Sequence, residues 1–112
     1  MLTIFHPCQR NNILVHAGLG NFSPDKKMWE YELDELVWMR PTYEEKYFDD
    51  KYVITGHTPT QHIENNPNPG YIFKFNNHIA IDCGVNIPGG RLGCIRLDDM
   101  TEFYVEGVQN ND

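Results

Sequence analysis

The sequence predicts an α/β chain, in which a mixed sheet carries helices on one face and ends in antiparallel hairpins. Two observations carry this expectation. Two short apolar runs lie on either side of a helical pattern, and four later runs are separated in pairs by turn-forming residues. The chain has 112 residues, of which 40% are hydrophobic and 22% charged, as expected for one small globular domain.

The first half of the chain contains two predicted strands on either side of a predicted helix. Residues 11–16 (NNILVH) and 51–55 (KYVIT) are apolar runs typical of buried strands. Residues 23–25 (SPD) should begin the helix, because they offer an N-cap, a proline at the first helical position and an acid in the first turn. Pro41 should end the helix near Met39, since proline cannot continue it.

The predicted helix should pack an apolar face against the sheet. At helical spacing this face consists of Leu33, Leu36, Val37 and Met39. The acidic residues of the same stretch should lie on its other sides: Glu32, Asp34 and Glu35. Large apolar side chains nearby are expected in the core: Met28, Trp29 and Trp38.

The second half should fold as two hairpins. The paired strands are residues 71–75 with 78–82 and residues 92–97 with 101–106. Asn76 and Asn77 should form the first turn, because asparagine tolerates the backbone of a tight hairpin. The second hairpin should turn at Asp98-Asp99, and loops are expected at residues 61–70 and 84–90.

Composition and charge argue against several classes of function. A net charge of −7, spread over both halves, argues against a nucleic-acid partner, which would need clustered Lys and Arg. No apolar run approaches the length of about 20 residues that spans a bilayer, and residues 1–10 lack a signal-peptide pattern, so a cytoplasmic location without membrane contact is expected. Cys8, Cys83 and Cys94 lack CxxC spacing and predict neither a disulfide framework nor a zinc knuckle.

Three residues are candidates for chemistry. His16 and His57 each follow an apolar strand and precede small or turn-forming residues, where two imidazoles can share one divalent metal ion. Either histidine alone is also compatible with a hydrogen-bonded place in the core or at its rim. Arg40 should emerge at a helix end, where its guanidinium can bind a phosphoryl group or complement the helix dipole. Surface or hairpin positions are expected for the other histidines, His6, His62 and His78.

Several motifs occur in the order and approximate spacing of one known family. Residues 15–18 (VHAG), 38–40 (WMR) and 56–59 (GHTP) are similar to the VHAG, WxR and GHTP elements of the calcineurin-like metallophosphoesterases of the serine/threonine phosphatase type. Residues 81–84 (IDCG) and 89–97 (GGRLGCIRL) resemble the closing strands of the bacterial members. The resemblance extends nearly over the whole chain, and the ordered set of motifs is more specific than any one of them.

The resemblance implies a chemistry and the residues that perform it. His16 and His57 would bind the second metal ion of a binuclear centre, with manganese, iron or zinc as the metal, and Arg40 would bind the substrate phosphate. Asp82 would accept a hydrogen bond behind the histidines or, equally, serve as a turn residue at a strand end. The substrate would be a phosphorylated protein or a small phosphoester such as a dinucleoside tetraphosphate.

The family elements GDxHG, GDxxDRG and GNHE do not occur in this sequence. Residues 1–112 are therefore expected to be the C-terminal part of a metallophosphoesterase domain, which is half of its β-sandwich, with an incomplete metal centre. The remaining ligands would come from an N-terminal half or from a second copy of the chain, unless the chain is a degenerate product. The alternative is a non-catalytic binding or assembly module built on the same half-fold.

Overall fold

The computed structural model describes the backbone of residues 5–7 and the whole of residues 12–107. Within these ranges the strands are β1 (Phe5–Pro7), β2 (Ile13–Val15), β3 (Val53–Thr55), β4 (Phe73–Phe75), β5 (His78–Ala80), β6 (Arg91–Arg96) and β7 (Thr101–Glu106). The helical elements are α1 (Leu33–Val37) and two single 3-10 turns, Met28–Glu30 and Thr60–His62. The expectations for Cys8 and for the His6 side chain lie outside the described residues.

Five strands form one mixed sheet in the order β1-β2-β3-β5-β4. The central strands β2, β3 and β5 run parallel, with Leu14 opposite Ile54 and Ile54 opposite Ile79, and the outer strands β1 and β4 run antiparallel to their neighbours. Strands β6 and β7 form a separate antiparallel hairpin. The predicted α/β class, with a mixed sheet and a C-terminal hairpin, is confirmed, whereas β1 was not predicted.

The two faces of the sheet are covered by different parts of the chain. Ile13 and Val15 point to one face, where they form a cluster with Leu36 of α1 and with residues of the loops around it. Ile54 and Ile79 point to the other face, where partly buried side chains of the β6–β7 hairpin pack against them. The alternation of side chains along a strand thus gives each face its own core, with α1 on one side and the hairpin on the other.

The helical region is shorter than predicted. Residues 23–25 do not begin a helix; they form a turn in which the Asp25 amide donates to Ser23 Oγ at 3.4 Å. Helix α1 begins ten residues later at Leu33, where the Glu35 carboxylate accepts the Glu32 amide at 2.8 Å. The N-cap signal at residues 23–25 therefore marks a local turn, in which the Lys26 amide also donates to the Ser23 carbonyl at 3.0 Å.

The predicted apolar helix face and the predicted core are only partly correct. Leu36 is buried as expected, but Leu33 and Met39 are exposed, and Trp29 and Trp38 are 82% and 65% exposed instead of buried. Met28 does pack against the core. Five residues make too short a helix to hold a continuous stripe, so only its central residues face the sheet.

Glu35 was predicted to lie away from the apolar face of the helix, which is wrong, because the structure buries it next to Leu36. Its carboxylate accepts hydrogen bonds from Asn21 at 2.8 Å and from Lys26 at 2.9 Å. Together with the Glu32 amide, these donors hold the pKa of Glu35 well below its usual range, at about 2. Glu35 therefore ties the loop after β2 to the helix, and this loop carries the first candidate histidine.

The asparagine turn between β4 and β5 is confirmed. Asn76 and Asn77 have φ angles of 51° and 63°, as a tight two-residue hairpin turn requires. Their side-chain amides also donate to main-chain oxygens of the 43–48 segment, with Asn76 bonded to Tyr43 at 3.1 Å and Asn77 to Phe48 at 2.9 Å. One turn therefore closes the hairpin and anchors the segment that covers this end of the sheet.

His78 of β5 lies beneath that segment and is only 1% exposed. Its Nε2 is 2.7 Å from the Glu45 carbonyl oxygen, and the rings of Tyr43 and Tyr47 contact its imidazole edge-on. Burial lowers the pKa of His78 below its ordinary 6.5, although the Glu45 carbonyl acts in the opposite direction. The folded protein therefore resists protonation of this residue.

We expect the free energy of unfolding to fall as the pH drops below about 6.5, because the unfolded His78 then takes up a proton that the folded one refuses. Above that pH the contribution is constant. Urea unfolding at pH 7.5 and 5.5 measures the effect, and the His78→Gln variant, which keeps a donor for the Glu45 carbonyl, should lose much of the difference. An equal pH dependence in that variant would assign the effect to other groups.

Candidate functional site

The two predicted metal ligands lie side by side. Strands β2 and β3 are parallel neighbours, so His16 and His57, which follow them, emerge at the same edge of the sheet. Nε2 of His16 is 3.2 Å from Nδ1 of His57, and the ring centroids are 5.0 Å apart. Both side chains are half-buried. The structure thus brings together two residues that are 41 positions apart in the sequence.

A strained turn directs His57 toward His16. The Gly56 amide donates to the His16 carbonyl at 2.9 Å, which continues the pairing of the two strands by one step. His57 then adopts a φ angle of 66°, and the Thr58 amide donates back to the Gly56 carbonyl at 2.6 Å. A left-handed backbone costs a non-glycine residue about 1 kcal/mol or more, and such strain is often found at functional sites.

Gly18 lets the loop after β2 contact the end of α1 directly. A Cβ on Gly18 would lie 2.9 Å from the Met39 carbonyl oxygen and 3.1 Å from the Pro41 ring. The Ala17 amide donates to the Leu36 carbonyl at 2.8 Å across the same contact. This close approach fixes the chain that follows α1 next to the histidine pair.

Trp38, the residue that caps α1, covers one side of the pair. Its ring stands perpendicular to the imidazole of His57, with the centroids 5.2 Å apart. Because Trp38 is largely exposed, its indole shields His57 from water on one side without being part of the core. Trp38 was expected in the core as a large apolar residue, and its contact with His57 was not predicted.

Arg40 lines a cleft of about 250 Å³, and neither His16 nor His57 is among the residues that line it. Thr58, which follows His57 in the chain, lines this cleft together with His62. Arg40 is exposed, and no carboxylate of the described residues lies within ion-pair distance of it. Its guanidinium is therefore available to an anionic ligand.

Tyr43 forms another wall of the same cleft. Burial raises the pKa of its hydroxyl to about 12, while the positive charge of nearby Arg40 acts to lower it. The hydroxyl therefore stays protonated at neutral pH, and its oxygen is buried from solvent. Arg40 contributes the positive charge of the cleft, whereas Glu44 and Glu64 line it with negative charge.

Asp82 binds the loop that follows β5. Its Oδ1 accepts the Gly84 amide at 3.0 Å, and its carbonyl accepts the Thr60 amide at 2.8 Å. Across the described chain no hydrogen bond joins Asp82 to either candidate histidine. These contacts are those of a turn residue. A hydrogen bond from a metal-binding histidine to Asp82 stays a prediction.

The spacing of the two imidazoles fits a shared metal ion. Two nitrogens bound to one ion at about 2.0–2.2 Å, with an angle between about 90° and 109°, lie about 2.8–3.6 Å apart. The observed 3.2 Å between the ring nitrogens of His16 and His57 falls within this range, and it is also the length of a hydrogen bond between the two imidazoles. Residues 12–107 contain no group of three or more His, Cys, Asp or Glu side chains placed to hold a metal ion, so this part of the chain offers two ligands only.

Sequence reasoning proposed His16, His57 and Arg40 as site residues and did not predict the other residues that line the Arg40 cleft. His62 was expected at the surface without a role, and it is exposed, but the 3-10 turn Thr60–His62 brings it to the Arg40 cleft. One feature of the sequence could have indicated the position of His62. It lies five residues after His57, and Pro59 and the single 3-10 turn Thr60–His62 reverse the chain between them.

Comparisons of the chain with family models, with curated proteins and with solved structures find no match. None of the helices in the described part of the chain is long and apolar enough to cross a membrane. The geometry of the site and the sequence motifs are therefore the basis for a functional assignment.

Proposed function

We propose that this chain is the C-terminal part of a metal-dependent phosphoesterase of the serine/threonine phosphatase type, which hydrolyses phosphate monoesters. The observation that carries the proposal is the 3.2 Å separation between ring nitrogens of His16 and His57. Arg40 supports it, because this exposed residue forms no ion pair with any described residue. In this proposal the two imidazoles bind one divalent ion and Arg40 binds the phosphate of the substrate.

Each residue has a separate task. A divalent ion such as manganese, iron or zinc, when bound, supplies a hydroxide nucleophile at neutral pH and neutralises charge on the phosphoryl group. Arg40 holds the phosphate through the parallel donors of its guanidinium, which fixes the orientation of the phosphorus. Trp38 restricts rotation of the His57 ring and excludes water from one side of it.

Two imidazoles provide half or fewer of the protein ligands that a divalent ion usually takes. The proposal therefore includes a source for the others, either an N-terminal half on the same or another polypeptide, or a second copy of this chain. The substrate is a phosphorylated protein or a small phosphoester. A cytoplasmic location belongs to the proposal as well.

Metal binding is the first test, because it can be measured without turnover. We expect Mn²⁺ to bind to the chain in calorimetry and to quench the fluorescence of Trp38, whose ring contacts His57. His16→Ala and His57→Gly should each weaken binding at least tenfold, since loss of even an outer partner of a metal ligand costs about 10–100-fold. Glycine is chosen at position 57 because it accepts the φ angle of 66° without strain.

The matched control is His62→Ala, which removes an exposed histidine from the Arg40 cleft and leaves both His16 and His57 in place. It should bind Mn²⁺ like the wild type. An equal loss in this control would show that the ion does not bind between His16 and His57. Hydrolysis of p-nitrophenyl phosphate in the presence of Mn²⁺, measured with and without His57→Gly, then tests whether the two ligands support catalysis.

A non-catalytic binding or assembly module is the second candidate, and one feature favours it. The outer face of the β6–β7 hairpin is apolar, with Leu92 opposite Val105 and Cys94 opposite Phe103. All four side chains are exposed. Absence of Mn²⁺ binding and of turnover, together with association of the chain in sedimentation, would favour this function over the first.

A further inference from the structure

A second groove runs along the edge of the five-stranded sheet. It has a volume of about 590 Å³ and lies between strand β4 and the loop of residues 64–68. Four consecutive residues, 72–75, line it. Because side chains of successive strand residues point to opposite faces, a groove lined by all four follows the backbone edge of the strand and not one face of the sheet.

The groove continues into the Arg40 cleft. Tyr43, Glu44 and Glu64 line both depressions, so together they form one channel with Arg40 at one end and Phe75 toward the other. A ligand that places a phosphate at Arg40 therefore meets the edge of β4 with the rest of its length.

Strand β4 has backbone groups available to such a ligand. It is the outermost strand of its sheet, and Phe75 and His78 flank the two-residue turn as a hydrogen-bonded pair. Since hydrogen-bonded and non-bonded pairs alternate in an antiparallel ladder, the amide and carbonyl of Lys74 point away from β5 toward the open edge. An extended peptide can pair with these groups as an added strand.

The side chains around the groove indicate what kind of peptide fits. Glu44 and Glu64 are exposed and form no ion pair with any described residue, whereas the nearby cation Lys74 is paired with Glu102 at 2.9 Å. The middle of the channel is therefore negatively charged. At its far end Phe75 is 53% exposed and offers an apolar contact.

We propose that the channel binds an extended phosphopeptide that adds to the sheet along β4. Its phosphorylated residue lies at Arg40, a basic residue follows near Glu44 and Glu64, and an apolar side chain contacts Phe75. The inference rests on the proposed function, because it uses the phosphate role of Arg40. A nucleotide fits less well, since it offers no cationic group to the two glutamates and no backbone to pair with Lys74.

The test uses the full chain without added metal. The first probe is a fluorescein-labelled peptide in which phosphoserine is followed by Lys-Val-Lys-Val. The second probe has the same residues in the reverse order, so that phosphoserine comes last. Binding is measured by fluorescence polarisation. The wild type should bind one of the two orders, and the variant with both Glu44→Lys and Glu64→Lys should bind it at least tenfold more weakly. Exchange of the peptide lysines for glutamates should weaken binding to the wild type in the same way.

Two variants of Lys74 test whether the peptide pairs with strand β4. Lys74→Pro removes the outward-pointing amide, which an edge position tolerates, and should weaken binding about tenfold. Lys74→Ala loses the ion pair with Glu102 but keeps the amide, so it should weaken binding much less than Lys74→Pro does. N-methylation of the peptide backbone tests the same pairing without altering the protein, and it decides the matter if Lys74→Pro does not fold.

The outcomes separate this inference from the proposed function. No binding of either peptide, or equal binding after N-methylation, overturns the channel, even if Mn²⁺ still binds between His16 and His57. Equal binding of the peptide without phosphate, unchanged by Arg40→Ala, overturns the phosphate end of the channel. Adenosine monophosphate that displaces the peptide and loses affinity with Phe75→Ala would make the groove a nucleotide site instead.

Discussion

Gly90→Ala should abolish folding or lower the free energy of unfolding by about 3 kcal/mol or more. Gly90 is buried where the loop after β5 enters β6, and a Cβ there would overlap the Gly84 carbonyl group and lie 3.0 Å from the Ile87 carbonyl oxygen. Both obstacles are backbone atoms, so no side-chain rotation can relieve the overlap.

The backbone at this point cannot move easily either. The Gly90 amide donates to the Ile87 carbonyl at 2.8 Å, and its own carbonyl accepts the Gly107 amide at 3.1 Å. A shift of Gly90 would therefore break the contact between the start of β6 and the end of β7. The loss of these hydrogen bonds would add to the steric cost.

Urea unfolding measures the effect, and the neighbouring residue provides the control. Gly89 has a φ angle of 83°, and nothing lies within 4 Å of the position its Cβ would take. Gly89→Asn should cost less than about 1 kcal/mol, because asparagine tolerates a left-handed backbone. Equal stability of Gly90→Ala and Gly89→Asn would show that the loop can rearrange.

The strands other than β1 were predictable because their signals are local. The runs at β2 and β3 are apolar and β-branched, and Asn76-Asn77 specifies a tight turn whatever surrounds it. The helix was not predictable in the same way. Its N-cap signal at residues 23–25 had to compete with contacts from distant parts of the chain, among them the bond between the Gly20 amide and the Glu35 carbonyl at 2.9 Å.

The candidate site was predictable as a set of residues but not as an arrangement. A histidine directly after an apolar strand is visible in the sequence, and parallel pairing of β2 with β3 then brings the two histidines together. The edge-on contact of Trp38 with His57 depends on how closely Gly18 lets the chain after α1 approach. The distance between Trp38 and His57 is set by packing in three dimensions, and it cannot be derived from the spacing of residues along the chain.

Ile79→Ala tests the core between the sheet and the β6–β7 hairpin. Ile79 is fully buried at the centre of the sheet, where it packs with Ile54 and Ile72 beneath the β6–β7 hairpin. Removal of a buried isoleucine side chain costs about 2–5 kcal/mol, because apolar contacts are lost and a cavity remains. We expect a value near the upper end, since the strands on both sides of β5 limit how far the cavity can collapse.

The comparison variant for Ile79→Ala is Val105→Ala on the outer face of the hairpin. Val105 is exposed, so its truncation should change the free energy of unfolding by less than about 0.5 kcal/mol in the same urea experiment.

His78 and Ala80 point to the opposite face of β5 from Ile79. Ile79→Ala should therefore leave the affinity for Mn²⁺ unchanged in buffer where the variant is still folded. A loss of stability without a loss of metal binding would show that the hairpin layer supports the sheet but does not shape the histidine pair. A parallel loss of both would mean that the ends of β2 and β3 hold their spacing only while the hairpin is packed beneath them.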